Sequence, residues 1–201
     1  MIIRDELYKP INLGINWLIN SENLSGSWDF SEKIRDSIDA TSFNLYTLAS
    51  MMTLDKFRDL LNEPKYKNSV LLALRFLSDS QQQNGSFIND QLRKPKPDPK
   101  MTAQAGIALT VARKNFQNDI RIDAQRTDQV IQKSIDYIVS EMTDKYSWSP
   151  PDEYSKQNPL YATLFCTSFL NMHNKPDLVT GALNRMADSY ASQGKTFGSY
   201  E

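Results

Sequence analysis

Cysteine and histidine are nearly missing from this chain: Cys166 and His173 each occur once in 201 residues. One thiol cannot close an internal disulfide, and one thiol with one imidazole cannot supply the ligand set of a structural zinc site. A chain so poor in thiols suits a reducing compartment, so the expected location is the cytoplasm. Met1 to Pro10 alternates charged and apolar residues without the hydrophobic stretch a signal peptide needs, so secretion is not expected. Excess charge of one sign is missing too. With 23 basic and 24 acidic residues the net charge is -1, and no overall field draws the chain toward nucleic acid. No apolar run approaches the roughly 20 residues needed to span a bilayer, so integral membrane association is not expected.

Common catalytic motifs are also absent. The chain has no Gly-x-x-x-x-Gly-Lys phosphate loop, no Gly-x-Ser-x-Gly elbow and no His-Glu-x-x-His helix, and its lone histidine removes most triads. An Asp-Asp-x-x-Asp run, which would hold magnesium against a diphosphate, is missing as well. No metal or cofactor is expected.

What the chain does contain is an internal repeat. Trp17-Leu18 is followed by Glu22, Gly26 and Trp28, and Phe76-Leu77 by Gln81, Gly85 and Phe87 at identical spacing, a shift of 59 residues. A further shift of 61 gives Tyr137-Ile138, Met142, Tyr146 and Trp148. A small residue, Gly14, Ala73 or Ser134, stands one helical turn before each leading aromatic and lets another backbone approach. A second block recurs as Thr41 with Leu48, Thr102 with Leu109 and Thr163 with Leu170. The chain reads as one domain, 1–201, with repeats over about 8–62, 66–118 and 126–174 and a partial copy over 175–201. The partial copy runs from Leu178 through Gln193 to Gly198 and Tyr200.

The periodicity assigns two kinds of helix. Ala40 to Met52, Met101 to Ala112 and Tyr161 to Met172 are apolar or small on nearly every side, which predicts inner helices buried all round. The segments 10–22, 67–83 and 126–142 keep a polar face and read as outer helices. Asp98-Pro99 and Asn158-Pro159 place a capping side chain before a proline at the first helical position, and Ser37 holds the same place in the first copy. Thr53 to Asn62 predicts a short surface helix, and Arg93 to Lys100 a stiff exposed loop. The fold class is therefore all-α, an array of about 3.5 helical hairpins.

This pattern resembles the Gln-Trp repeat of the squalene-hopene cyclase and protein prenyltransferase superfamily: a small residue, an aromatic-aliphatic pair, three residues, Gln, a short gap, then Gly-x-Trp. Phe76-Leu77, Gln81, Gly85 and Phe87 carry the likeness best, while Glu22 and Met142 replace the Gln and Phe87 one Trp. The resemblance implies an α/α toroid of concentric inner and outer helices, of which this chain would form roughly half. It also implies that any ligand sits centrally, among the ends of the inner helices.

Class II cyclases of that superfamily protonate an alkene with the central acid of an Asp-x-Asp-Asp motif, an acid kept protonated by its neighbours. The nearest segment here is Asp36-Ser37-Ile38-Asp39, and Ile38 stands where the donor would be. Asp36 and Asp39 remain the only acids near that role; their other reading is as oxygens capping the following helix. Prenyltransferase zinc chemistry would need Cys166 and His173 on one metal, but seven residues of helix separate them by about 10.5 Å. Cys166 reads as a core residue, and His173 as an imidazolium favoured by a helix C-terminus.

If the inner helices enclose a cavity, Phe43, Tyr46, Gln104, Tyr161 and Phe165 are its candidate lining, with core packing as their other reading. Trp17, Trp28, Phe76, Phe87, Tyr137 and Trp148 read as inter-helix packing. The expected function is a non-catalytic repeat domain that binds a protein, as a homodimer or with a different chain, or takes an isoprenoid or other apolar ligand. The alternative is an isoprenoid cyclase or prenyltransferase-like half, completed by a second chain.

Overall fold

The computed structural model describes residues 5–92, 94–119, 121–149 and 160–192. Among them the chain is all-α, with eight helices and one short β-hairpin. The helices are α1 (Asp5–Asn20), α2 (Ile38–Met51), α3 (Asp55–Leu61), α4 (Pro64–Ser80), α5 (Pro99–Asn115), α6 (Ala124–Ser140), α7 (Leu160–Met172) and α8 (Pro176–Ser192). Strands β1 (Ile88–Asn89) and β2 (Lys96–Pro97) pair antiparallel, with Ile88 opposite Pro97. Part of the lysine- and proline-rich segment is thus a hairpin strand rather than a free loop, while Arg93 lies outside the described residues, as do Asn158-Pro159, Gly198 and Tyr200.

Local chemistry sets the helix boundaries. Asp98 caps α5 by accepting from the amides of Lys100 at 2.8 Å and Met101 at 3.4 Å, with Pro99 next in line where no amide is needed. Ser37 caps α2 through the amide of Ala40. The outer helix α4 stops at the repeat glutamine, because Gln81 turns to an extended backbone. The short helix α3 is anchored, not merely superficial: Phe57 and Leu61 are fully buried.

The repeated residues make repeated bonds. In each copy a turn closes through Asn23, Gln82 or Thr143, whose amide donates to the carbonyl of Ser27, Ser86 or Ser147. The next residue is the buried aromatic Trp28, Phe87 or Trp148. Its amide donates to the hydroxyl of Thr41 at 3.0 Å, Thr102 at 2.9 Å or Thr163 at 3.5 Å. That is why threonine recurs at the start of every inner helix: it satisfies a donor that burial has removed from water. The indoles of Trp28 and Trp148 donate in turn to the carbonyls of Leu18 and Ile138, tying each loop back to its own outer helix.

α2, α5 and α7 pack side by side in chain order, and α4, α6 and α8 lean mainly on the inner helix that precedes each of them. The working hairpins are therefore inner-then-outer, α2 with α4, α5 with α6 and α7 with α8. The sequence blocks run outer-then-inner. This leaves α1 outside the scheme. It is held by Ile15 in the core, by the Tyr8 ring stacked 5.1 Å from that of Phe57, and by Asn16, which accepts from Tyr66 at 2.7 Å. Pro10 lies inside α1 and removes one helical amide there. The expectation that Trp17 packs between helices fails, since its side chain is exposed on α1 and no described helix covers it.

The core is a single cluster that includes Leu45, Leu48, Leu77, Phe87, Leu109, Ile138, Trp148 and Phe169. At its centre α5 approaches α7 closely, because Gly106 leaves room for Phe169: a Cβ there would stand 2.4 Å from the ring's Cζ. No described helix is long and apolar enough to cross a membrane.

Candidate functional site

Helices α2 and α7 are not buried all round. Outer helices cover one side of the inner row and no described helix covers the other, so each inner helix leaves a stripe uncovered. The 61-residue repeat sets these stripes in rows: Asp39, Lys100 and Tyr161; then Phe43, Gln104 and Phe165; then Tyr46, Ile107 and Ser168. Phe43, Tyr46 and Tyr161 stand exposed, as does Leu164, while Gln104 and Phe165 are partly buried. The Lys100 ammonium lies 6.0 Å from the centre of the Phe165 ring. The five residues named as cavity lining thus lie on one uncovered side of the inner row, with aromatic side chains on α2 and α7 and Lys100, Gln104 and Ile107 between them on α5.

A polar rim borders this face at the N-terminal ends of α2 and α5. Asp39 receives the side-chain amides of Gln91 and Gln104 on its two carboxylate oxygens, which bridges the first two copies. Gln104 keeps its Oε1 buried without a partner. Asp90, from the β1–β2 hairpin, accepts from the amide of Ile38 at 2.6 Å and from the Ser37 hydroxyl at 3.4 Å. The cap of α2 is therefore shared between its own serine and an aspartate of the second copy. Burial pushes the Asp90 carboxyl up, against the Ile38 amide and Ser37 hydroxyl that favour its charge, and nearby Asp39 adds to the rise. Burial also raises Asp98, opposed by Asn89, which donates at 2.8 Å, and by the capped amides. Asp90 and Gln91 have no counterpart at the repeat spacing, so the sequence pattern gave no signal for them.

Asp36 occupies a different environment. Its backbone is left-handed, at φ 50, and its carboxylate accepts from Ser27, from Ser25 at 2.7 Å and from Asn23 at 3.4 Å. Its own amide donates to Asp29 at 3.0 Å. Hydroxyl donors, Ser27 first and then Ser25, hold the Asp36 carboxyl below the usual range. An acid held ionised in this way staples the first repeat loop and is poorly suited to give up a proton. The structure separates the two acids of the Asp36-Ser37-Ile38-Asp39 segment, one in a hydroxyl nest and one in an amide clamp.

Cys166 is buried, its thiol 3.5 Å from the carbonyl of Pro99, and desolvation pushes it well above the ordinary thiol range. His173 does follow the end of α7, but its surroundings work against the imidazolium form. Burial, with Lys175 nearby, lowers its pKa; its Nε2 pairs with the Thr110 hydroxyl at 3.0 Å, and its ring packs edge-on against Phe169. Among the described residues no cluster of His, Cys, Asp or Glu is arranged to hold a metal. One cleft of about 340 Å³ lies between α4 and α6, bordered by Leu71, Arg75, Arg121 and Arg126. Another, of about 450 Å³, lies beside His173, with Thr110, Arg113, Asp128 and Gln132. Neither includes the aromatic face.

No family model, curated protein or solved structure matches the chain. The likeness to the cyclase and prenyltransferase superfamily rests on the repeat residues alone.

Proposed function

We propose that this chain is a non-catalytic binding domain of cyclase-like toroid design, whose inner-helix face seats an apolar segment of a protein partner. One observation carries the reading: Phe43 and Tyr161 are 64% and 61% exposed in the middle of a repeat-built face. Isolated exposed rings are ordinary, but exposed rings on α2 and α7 at the same repeat positions, flanking Ile107 on the α5 between them, make a patch of the kind that marks an interface. The open shape favours a protein segment over a small apolar molecule, because small-ligand sites enclose most of their ligand. The two acids nearest a catalytic role support the same reading, since each already accepts hydrogen bonds from side chains of its own chain.

The test is native mass spectrometry of the protein purified from its own host, paired with a Phe43→Glu/Tyr161→Glu variant. The expected result is a defined protein partner that the variant loses while keeping its melting temperature, since both rings are exposed. A retained isoprenoid-sized molecule would instead assign the face to a lipid. Cyclised or prenylated product formed from an isoprenoid diphosphate by the purified chain would sink the non-catalytic reading.

A further inference from the structure

The outer helices α4 and α6 each receive the loop of the preceding repeat at one fixed register. A Cβ on Gly26 would stand 2.4 Å from the backbone carbon of Leu72, and one on Gly85 would stand 2.3 Å from the carbonyl oxygen of Lys133. Both glycines also have positive φ, 85 and 87, so the loop lies backbone to backbone on the helix. Gln81 clamps the second contact by donating to the carbonyls of Gly85 and Val130 and to the Ser134 hydroxyl, at 2.8 to 3.0 Å. The small residues next to the contact, Ala73 and Ser134, are fully buried.

The same register on α1 falls at Leu13 and Gly14, by the 59-residue shift. There the surface is bare. Leu13 is 62% exposed and Trp17, one turn further on, is 68% exposed, whereas Tyr137 in the register of Trp17 is buried. A Cβ on Gly14 would meet nothing within 4 Å. Helix α1 therefore presents the receiving surface of a repeat loop, an apolar wall beside a glycine-wide gap, with no described residue seated on it.

We propose that the segment 193–201 of a second copy of this chain seats on α1 in that register. The segment lies outside the described residues, but its sequence carries the loop motif. Gly198-Ser199-Tyr200 repeats Gly26-Ser27-Trp28 and Gly85-Ser86-Phe87, and Gln193 precedes it as Gln81 precedes Gly85, with one residue more between. The loops of the first three copies already rest on α4, α6 and, through Tyr146, α8. Gln193 aligns with Gln81, and Pro10 holds on α1 the place of Val130 on α6. Such a contact is head-to-tail, and it yields a closed ring if the rotation between copies closes and a filament if it does not. It uses no residue of the inner-helix face, so it stands or falls separately from the binding function proposed above.

Sedimentation velocity on the full chain tests the contact with two variants, one for each side. Trp17→Glu places a charge on the bare wall of α1, where an exposed side chain carries little of the fold. Gly198→Val puts a branched side chain at the motif position where Gly26 and Gly85 have no room for a Cβ. The wild-type chain is expected to associate beyond the monomer, and each variant alone to lose association by on the order of 30-fold or more, as for a central interface residue. Mixed in equal amounts, the two variants still share one intact head and one intact tail, so they form a 1:1 dimer that neither forms alone. A monomeric wild type, a variant that still self-associates, or a mixture that fails to pair overturns the proposal.

Discussion

The ring of Tyr146 fills the space that a side chain on Gly181 would need, since a Cβ there would stand 2.5 Å from ring atom Cδ1. In the first two repeats the loop supplies the glycine and the helix supplies the bulk. In the third the roles are exchanged: Tyr146 takes the left-handed position at φ 53, and α8 carries the glycine. Gly181→Val is expected to destabilise the fold by about 1–3 kcal/mol through overpacking. Adding Tyr146→Gly should return part of that loss, because it removes the obstructing ring. Urea titrations of the single and double variants measure the coupling, and strictly additive effects would contradict this pairing.

Glu22 stands where the second repeat has Gln81, and it cannot donate to carbonyls when ionised. Burial pushes its carboxyl up from the ordinary 4.5, eased in part by the Ser69 hydroxyl. Neither Glu22 Oε1 nor Ser69 Oγ reaches a hydrogen bond of normal geometry. A raised folded-state pKa means that the native chain binds the proton more tightly than the unfolded one. Its stabilising effect is full below the unfolded pKa and is lost as pH rises through the folded value. Glu22→Gln should therefore gain about 1 kcal/mol at neutral pH by restoring donors toward Gly26 and Ser69. The difference between variant and wild type should shrink as pH falls through the raised folded-state value, and the shrinkage should be complete below the ordinary 4.5; a difference that stays constant with pH would show that Glu22 carries no coupled proton.

The Thr102 hydroxyl accepts from Phe87 and donates to the carbonyl of Asp98 at 2.8 Å, wholly out of water. Thr102→Val keeps the shape and removes both bonds, which leaves the Phe87 amide orphaned. The expected loss is about 1–3 kcal/mol. Thr102→Ser keeps the hydroxyl and should lose distinctly less. A loss for Thr102→Ser as large as that for Thr102→Val, read from chemical denaturation, would show that packing of the methyl matters as much as the two hydrogen bonds.

Asp36 contributes in the opposite pH direction to Glu22. Its folded-state pKa is depressed below 3.8 by the Ser27 and Ser25 hydroxyls, so its contribution is present above the unfolded pKa and is lost as pH falls through the folded value. Asp36→Asn is expected to lower the melting temperature at neutral pH and to converge on wild type in strong acid. Because the carboxylate is exposed to solvent, the effect should be small and should weaken with added salt. An unchanged melting curve at neutral pH would mean that the hydroxyl nest does not stabilise the first loop.

Much of the fold was legible because repeated sequence makes repeated bonds. The shift of 59 and then 61 residues placed Thr41, Thr102 and Thr163 in register, and each proves to accept from the aromatic after a Gly-Ser or Tyr-Ser turn. Asp98 and Ser37 were readable as caps because capping is local chemistry. The pairing of inner helices with the following outer helix was not readable, since periodicity gives the faces of a helix but not which neighbour meets them. Apolar content alone likewise made α2 and α7 look buried all round. Phe43 and Tyr161 are exposed because no described helix covers that side of the inner row, which is a tertiary property. The ties to Asp90, Gln91 and Gln104 were hidden for a related reason: they cross between copies and do not recur, so no offset reveals them.

The hydrogen bond from Ile38 to Asp90 spans 52 residues. During synthesis, α2 emerges well before the hairpin that completes its cap, and until then its leading amide must be satisfied by water. The first repeat therefore cannot reach its final state as an isolated nascent unit. It matures only when the second repeat has left the ribosome, so a pause in translation between the two would hold α2 with its own Ser37 cap alone.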